Sequence, residues 1–279
     1  MPSAVHAFQI FYNEATRASL DPGFEPLDNL ANERPDWYEY WPIRRFLQSD
    51  ALDDDALYGF FSPLFRSKTG LSGKQVIEFA QQAGDAEVVT FSPHPCHGAV
   101  FYNVFEQGAN VFPGFLDAVM PFLRELDPQI RLDALVNDSR NTVYSNYFLA
   151  KPRFWRAWRN VFEHAFALAE AGDTPAGQAL TRPVGYAKSD GRVKPAQVKI
   201  MLLERIPSLM LAWGDFRIAN YAPFAIPLTE QFEGRLAELQ ELDRLKIAYT
   251  SGGDRQQLNE FVRRRDGLLA AVRQGRHAG

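Results

Sequence analysis

Two short apolar runs, ALYGFFSP at 56–63 and AEVVTFSPHP at 86–95, share a Phe-Ser-Pro ending and flank a helical stretch, SGKQVIEFAQQA at 72–83. Apolar runs of this length, closed by proline, read as buried strands, and Ser72 is suited to cap the helix between them. An earlier run, HAFQIFYN at 6–13, reads as a first strand with a polar end, and FEPLDN at 24–29 as a short second one. Strands and helices that alternate in this way restrict the chain to an α/β architecture, a sheet flanked by helices. In open α/β sheets ligands bind at the carboxyl ends of the strands, so these polar or proline-closed ends are the first places to look for a site.

Between the second and third strands lies RPDWYEYWPIRRFLQS, which reads as one helix with Pro35 in its first turn. It carries Glu39, Arg44 and Arg45 among Trp37, Tyr38, Tyr40 and Trp41. Most of these rings suit a core. Rings beside arginine also suit a nucleotide, with stacking for the base and a fork of donors for its phosphates. Residues 104–126 read as mostly helical, and 131–171 as a strand, a polar turn and a long amphipathic helix. Residues 172–195 are rich in glycine, proline and charge, and read as a long loop of the kind that covers active sites.

VKIMLLERIPSLMLAW, at 198–213, reads as an apolar helix interrupted by Glu204 and Arg205. Desolvation offsets the attraction within a buried ion pair, so stability alone does not explain the two charges. Either the pair reaches solvent or clamps a loop, or it presents a base and a guanidinium to a cleft; position leaves both open. Beyond residue 228 the character changes to two charged amphipathic helices, 229–249 and 254–274, joined at SGGD as a helical hairpin. The chain therefore divides into 1–228 and a C-terminal extension, 229–279. The final helix sets Arg263, Arg264, Arg265, Arg273 and Arg276 beside apolar residues, a pattern that fits either docking or contact with an anionic membrane.

A formal net charge of −4 argues against a nucleic-acid partner held by counterion release. The single cysteine, Cys96, leaves no internal disulfide and no cysteine-based zinc site. Phosphate-loop, dinucleotide and nucleophile-elbow motifs are missing. The histidines lack ligand spacing apart from the weak HPCH at 94–97, and the acidic run at 53–55 reads as a solvated turn. In NDSRN, at 137–141, Asp138 beside Arg140 fits a metal or phosphate site as well as it fits an Asx turn. With no signal-peptide pattern and no spanning apolar run, the chain reads as cytoplasmic.

The order DWYEYWPIRRFL, YGFFSP, SNYFLAKPRFWRAW and MLLERIPSLMLA resembles the small bacterial GT-A-type glycosyltransferases of capsule, lipopolysaccharide and exopolysaccharide gene clusters. The resemblance covers residues 6–228 and implies a GT-A-like, Rossmann-like mixed sheet with a nucleotide-sugar donor at its carboxyl edge. It implies a glycan or lipid-linked acceptor, with Asn146 and Tyr147 on the acceptor side and Glu204 with Arg205 in the cleft as catalytic residues. Tyr12, Asp28, Asn29 and Glu39 are then expected beside the donor, with Arg44, Arg205 and His94 offering charge to its diphosphate. Such enzymes usually hold manganese or magnesium through an Asp-X-Asp motif, and this chain has SPHP at the expected place. Metal is therefore expected to be dispensable, with Asp138 the first ligand to consider otherwise. The rival reading is a non-catalytic partner protein within a polysaccharide-assembly complex.

Overall fold

The structure, a computed structural model, describes residues 4–49, 51–187 and 193–277. The chain runs through β1 (Val5–Phe11), α1 (Glu14–Ala18), β2 (Glu25–Asp28), a 3-10 turn at Pro35–Trp37 and α2 (Tyr40–Ser49). Next come β3 (Leu57–Phe61), α3 (Phe65–Thr69), α4 (Gly73–Gln82), β4 (Val88–Thr90), α5 (Pro95–Val100), α6 (Val104–Val111) and α7 (Phe115–Leu126). β5 (Phe148–Ala150), α8 (Pro152–Ala171), α9 (Pro175–Thr181), β6 (Pro183–Ala187) and β7 (Val193–Gln197) follow. The last elements are α10 (Val198–Leu203), α11 (Ile206–Trp213), β8 (Ile218–Asn220), α12 (Leu236–Gly252) and α13 (Arg255–His277).

Six strands form one mixed sheet in the order β2-β1-β3-β5-β4-β8. β5 runs antiparallel to its neighbours β3 and β4, while the other pairings are parallel. Helices cover both faces, which is why every residue of β3 is buried. Side chains alternate across a strand, so Phe60 enters one apolar cluster with Trp155, Trp158 and Phe122, and Phe61 enters the other with Phe65, Phe91 and Tyr147. Gly59 admits β5 at this point, because a Cβ there would stand 2.6 Å from the Phe148 carbonyl oxygen. Ser72 caps α4 as its sequence predicts, and Gln75 completes a capping box.

Four expectations are corrected. The aromatic stretch at 34–49 is two pieces, a 3-10 turn and α2, separated at Tyr38, whose φ of 48° and ψ of −129° are not helical. Contacts over long range hold this break: Asp36 accepts from Lys199 at 2.6 Å, and the Lys199 ammonium lies 4.0 Å from the centre of the Trp37 ring. The apolar stretch at 198–213 is also two helices, because Pro207 lacks the N–H that would continue the ladder and its ring crowds the carbonyl of Leu203. Glu204 and Arg205 occupy the break.

The expected loop at 172–195 contains α9, capped by the Thr174 hydroxyl, and the β6–β7 ribbon; residues 188–192 lie outside the described residues. Finally, residues 131–136 form turns instead of a strand. Asn103 Nδ2 takes the Leu132 and Leu135 carbonyls at 2.9 Å each, and the strand of this region, β5, follows the polar turn.

α12 and α13 pack on each other, and Leu239, Leu242, Leu245, Phe261 and Leu268 share an apolar cluster with Cys96, Ala99 and Val100 of α5. Lys246 is fully buried and donates to the carbonyls of Gly98, Phe101 and Asn137. Burial lowers its ammonium to about 8, which leaves it charged at neutral pH, where the Gly98 and Phe101 carbonyls at the end of α5 favour a cation. The basic run of α13 is met by acids: Arg263 and Arg264 hold Glu260, and Arg265 holds Glu106 and Asp266. The Arg276 side chain lies outside the described residues. Among the described residues no helix is long and apolar enough to cross a membrane.

Candidate functional site

The carboxyl edge of the sheet gathers Tyr12 after β1, Asn29 after β2, Ser62-Pro63 after β3 and Ser92-Pro93-His94 after β4. Because β5 is antiparallel, the residues that precede it, Ser145, Asn146 and Tyr147, reach the same edge. Phe91 N donates to the Tyr147 carbonyl at 2.8 Å and Tyr144 N to Ser92 Oγ at 3.0 Å, which ties the turn before β5 to the end of β4. The backbone here is unusual. Five described non-glycine residues have positive φ, and four of them, Tyr38, His94, Ser145 and Asn146, belong to this region. Strain of this kind persists only where surrounding structure enforces it, and it concentrates at functional sites.

Two carboxylates meet at this edge, each at a helix break. Glu39 follows the non-helical Tyr38 and precedes α2, while Glu204 follows α10; both are half-buried. Burial raises the Glu39 carboxyl above the ordinary carboxylate range and the nearby Glu204 charge adds to this, against its own backbone amide and the Lys68 ammonium. Burial also raises the Tyr38 hydroxyl, with the Glu39 charge and Tyr12 adding to it, so the phenol stays a donor. Tyr12 and Tyr38 are each 44% exposed, two neighbouring rings open to solvent near Glu39.

The remaining candidates divide sharply. Asn29 and Asn146 are buried at the edge, 4% and 5% exposed, and the Oδ1 of each meets no donor. Buried amide oxygens are normally satisfied, so two without partners at one edge mark polar surface that a ligand would complete. Asp28, at the exposed end of β2, accepts from Leu30 N and borders a shallow groove with Arg45 and Phe46.

Arg205 does not fill the role expected of it. It is 2% exposed, and its guanidinium turns inward to the carbonyls of Val104 and Met201, to Gln107 Oε1 and to the faces of Phe112 and Phe115. Gly108 makes room for it, since a Cβ there would lie 2.6 Å from Arg205 Nε. Arg44 is likewise engaged elsewhere: it forks onto Glu163 of α8 at 2.7 and 2.9 Å and lies over Phe166. Tyr147 is fully buried, with its hydroxyl 2.6 Å from Ser62 Oγ, and shapes the edge from beneath instead of lining the acceptor side.

His94 is at the edge, but burial, with help from His97 and Lys68, lowers it to about 4, so it is neutral at pH 7 and brings no charge to a diphosphate. Asp138 is fully buried and bound by Arg140 and by the Thr250 hydroxyl at 2.5 Å; it closes an Asx turn against α12. The acidic run at 53–55 is also a turn, as read from the sequence.

Sequence reasoning missed Lys68 and Ser145. Lys68 sits on α3, seven residues beyond the end of β3, and its Nζ donates to Ser145 Oγ at 2.9 Å. The signal was present in FSPLFRSKTG: a cation on a short helix directly after a strand end falls at the ligand edge of an α/β sheet.

Among the described residues no three His, Cys, Asp or Glu side chains are grouped to hold a metal ion, and the ends of β3 and β4 carry serine and proline. No family model matches the chain, and neither a curated protein nor a solved structure matches it.

Proposed function

We propose that the protein is a glycosyltransferase that moves a sugar from a nucleotide-sugar donor to a hydroxyl of a bacterial surface-glycan acceptor. The observation that carries this reading is the meeting of Glu39 and Glu204 at the carboxyl edge of a mixed sheet, beside two exposed tyrosines and two unpartnered asparagine oxygens. One antiparallel strand set among parallel ones accords with a GT-A-like sheet, and α12 and α13 then form a helical extension to it.

In this reading the nucleoside rests against Tyr12, Tyr38 and Asn29 at the β1–β2 end. The acceptor hydroxyl approaches Glu204, which takes its proton as the oxygen attacks the anomeric carbon and the bond to the diphosphate breaks. Glu39, held above the ordinary carboxylate range chiefly by burial, limits the negative charge that gathers beside Glu204.

The test is release of nucleoside diphosphate from a panel of nucleotide sugars, with and without glycan acceptors. Glu204→Gln is expected to slow turnover roughly a hundredfold while the melting temperature is kept. Full turnover in that variant would remove Glu204 from the chemistry, and a collapse in melting temperature would make it structural. Turnover is expected to persist in EDTA; complete loss, restored by manganese, would reveal a ligand set formed only with substrate.

A further inference from the structure

The candidate site still needs a positive charge, because Arg44 and Arg205 are committed to the interior and His94 is neutral. Lys68 meets the need by position. α3 is a single turn closed by Gly70 in the left-handed conformation, and Thr69 Oγ1 donates to the Phe65 carbonyl, so the helix is firmly placed after β3. From there the Lys68 side chain crosses the Tyr147 ring, with Nζ 5.7 Å from its centre, and reaches Ser145 Oγ. Among the described residues Ser145 is its one hydrogen-bond partner, and the ammonium has three hydrogens to place.

The surface that Lys68 faces has its own donors. Ser145 and Asn146 are consecutive left-handed residues, with φ of 60° and 56°. Among the described residues their main-chain N–H groups donate to no protein acceptor. Successive backbone N–H groups in a turn form concavities that bind anions. Asn146 Oδ1, buried without a donor, adds an acceptor of the kind a sugar hydroxyl satisfies. The Lys68 charge acts on both Glu39 and His94, so the ammonium lies within electrostatic reach of each.

We propose that Lys68 and the Ser145-Asn146 turn form the pocket that receives the diphosphate of an activated sugar. This rests on the glycosyl-transfer reading and names the group that stabilises the departing diphosphate: an ammonium and main-chain donors in place of a metal ion.

The experiment compares binding of uridine, guanosine, cytidine and adenosine 5′-diphosphates with binding of the matching nucleosides, by titration calorimetry, in wild type, Lys68→Met and Lys74→Met. Lys74 is an exposed lysine of α4 and controls for loss of net charge. Lys68→Met is expected to weaken the preferred diphosphate roughly tenfold to a hundredfold, as for loss of a charge-assisted hydrogen bond, and to leave nucleoside binding and the Lys74→Met protein unchanged. If Lys68→Met fails to fold, Lys68→Gln, which keeps a donor for Ser145 and removes the charge, is read in the same way. Equal diphosphate affinity in wild type and the Lys68 variant overturns this pocket and leaves the glycosyl-transfer reading standing. Wild-type protein that binds none of the diphosphates overturns both.

Discussion

The seam between α2 and α8 and the carboxyl edge of the sheet lie on either side of Tyr38, yet they treat charge in opposite ways. In the seam charges are matched. Arg34 forks onto Asp36 and Glu170, Lys199 adds to Asp36, and Arg44 forks onto Glu163, all against Trp37, Trp41 and Phe166. Burial by itself would raise the Asp36 carboxyl, but the bonds from Arg34 and Lys199 outweigh it and hold the group at about 2. Three residues on, at the edge, burial raises the proton affinity of Glu39, and the charge of Glu204 adds to the rise. Matched charges hold elements together; mismatched charges, kept in place by strained backbone, are what a ligand would satisfy.

The largest effect expected from this comparison is in the seam. Asp36→Ala strands the buried Lys199 ammonium and one arm of Arg34, and is expected to cost about 2–4 kcal/mol in denaturant unfolding. Adding Lys199→Met should return much of that loss, since the stranded charge is then gone. A single variant as stable as wild type would show that the seam is held by its rings alone.

The pH dependence of stability gives a smaller effect at the edge. His94 is lowered from 6.5 to about 4, so between those values the unfolded chain binds more protons than the folded one. Its contribution is complete above pH 6.5 and is lost as pH falls toward 4. His94→Gln should therefore flatten the fall in stability over that window. Identical slopes in the two proteins would place the titration elsewhere, with His97, also lowered chiefly by burial, the next to replace.

Asn146→Gly should change least. Asn146 Oδ1 has no partner to lose, and glycine accepts a φ of 56° without strain, so stability is expected to stay within about 1 kcal/mol of wild type. The apparent affinity for the nucleotide sugar should fall. A stability loss well beyond that range, with affinity unchanged, would move Asn146 from the site to the scaffold.

Several features are legible in the sequence. β3 and β4 lie inside the runs assigned to them, because a buried strand between helices must be apolar at nearly every position and must stop where proline removes a donor. β2 lies inside its run as a largely exposed strand, and β1 begins at Val5, one residue ahead of its run. Ser72 announced α4 because capping is local. Tyr12 and Asn29 are placed from strand ends alone, and Asn146 only through the resemblance; all three follow or precede strands at the carboxyl edge.

What sequence alone determined is therefore what neighbours along the chain decide: caps, apolar runs and the breaks that proline imposes. Pro207 did impose one, but only packing decided that Arg205 turns inward to Val104 and Gln107 while Glu204 stays at the edge, since adjacent residues at a break point in different directions. Arg44 and Glu163 are separated by 119 positions, and no local pattern joins them. Lys68 gained its place only when antiparallel β5 carried Ser145 back to the ends of β3 and β4, a juxtaposition that strand order sets and spacing cannot.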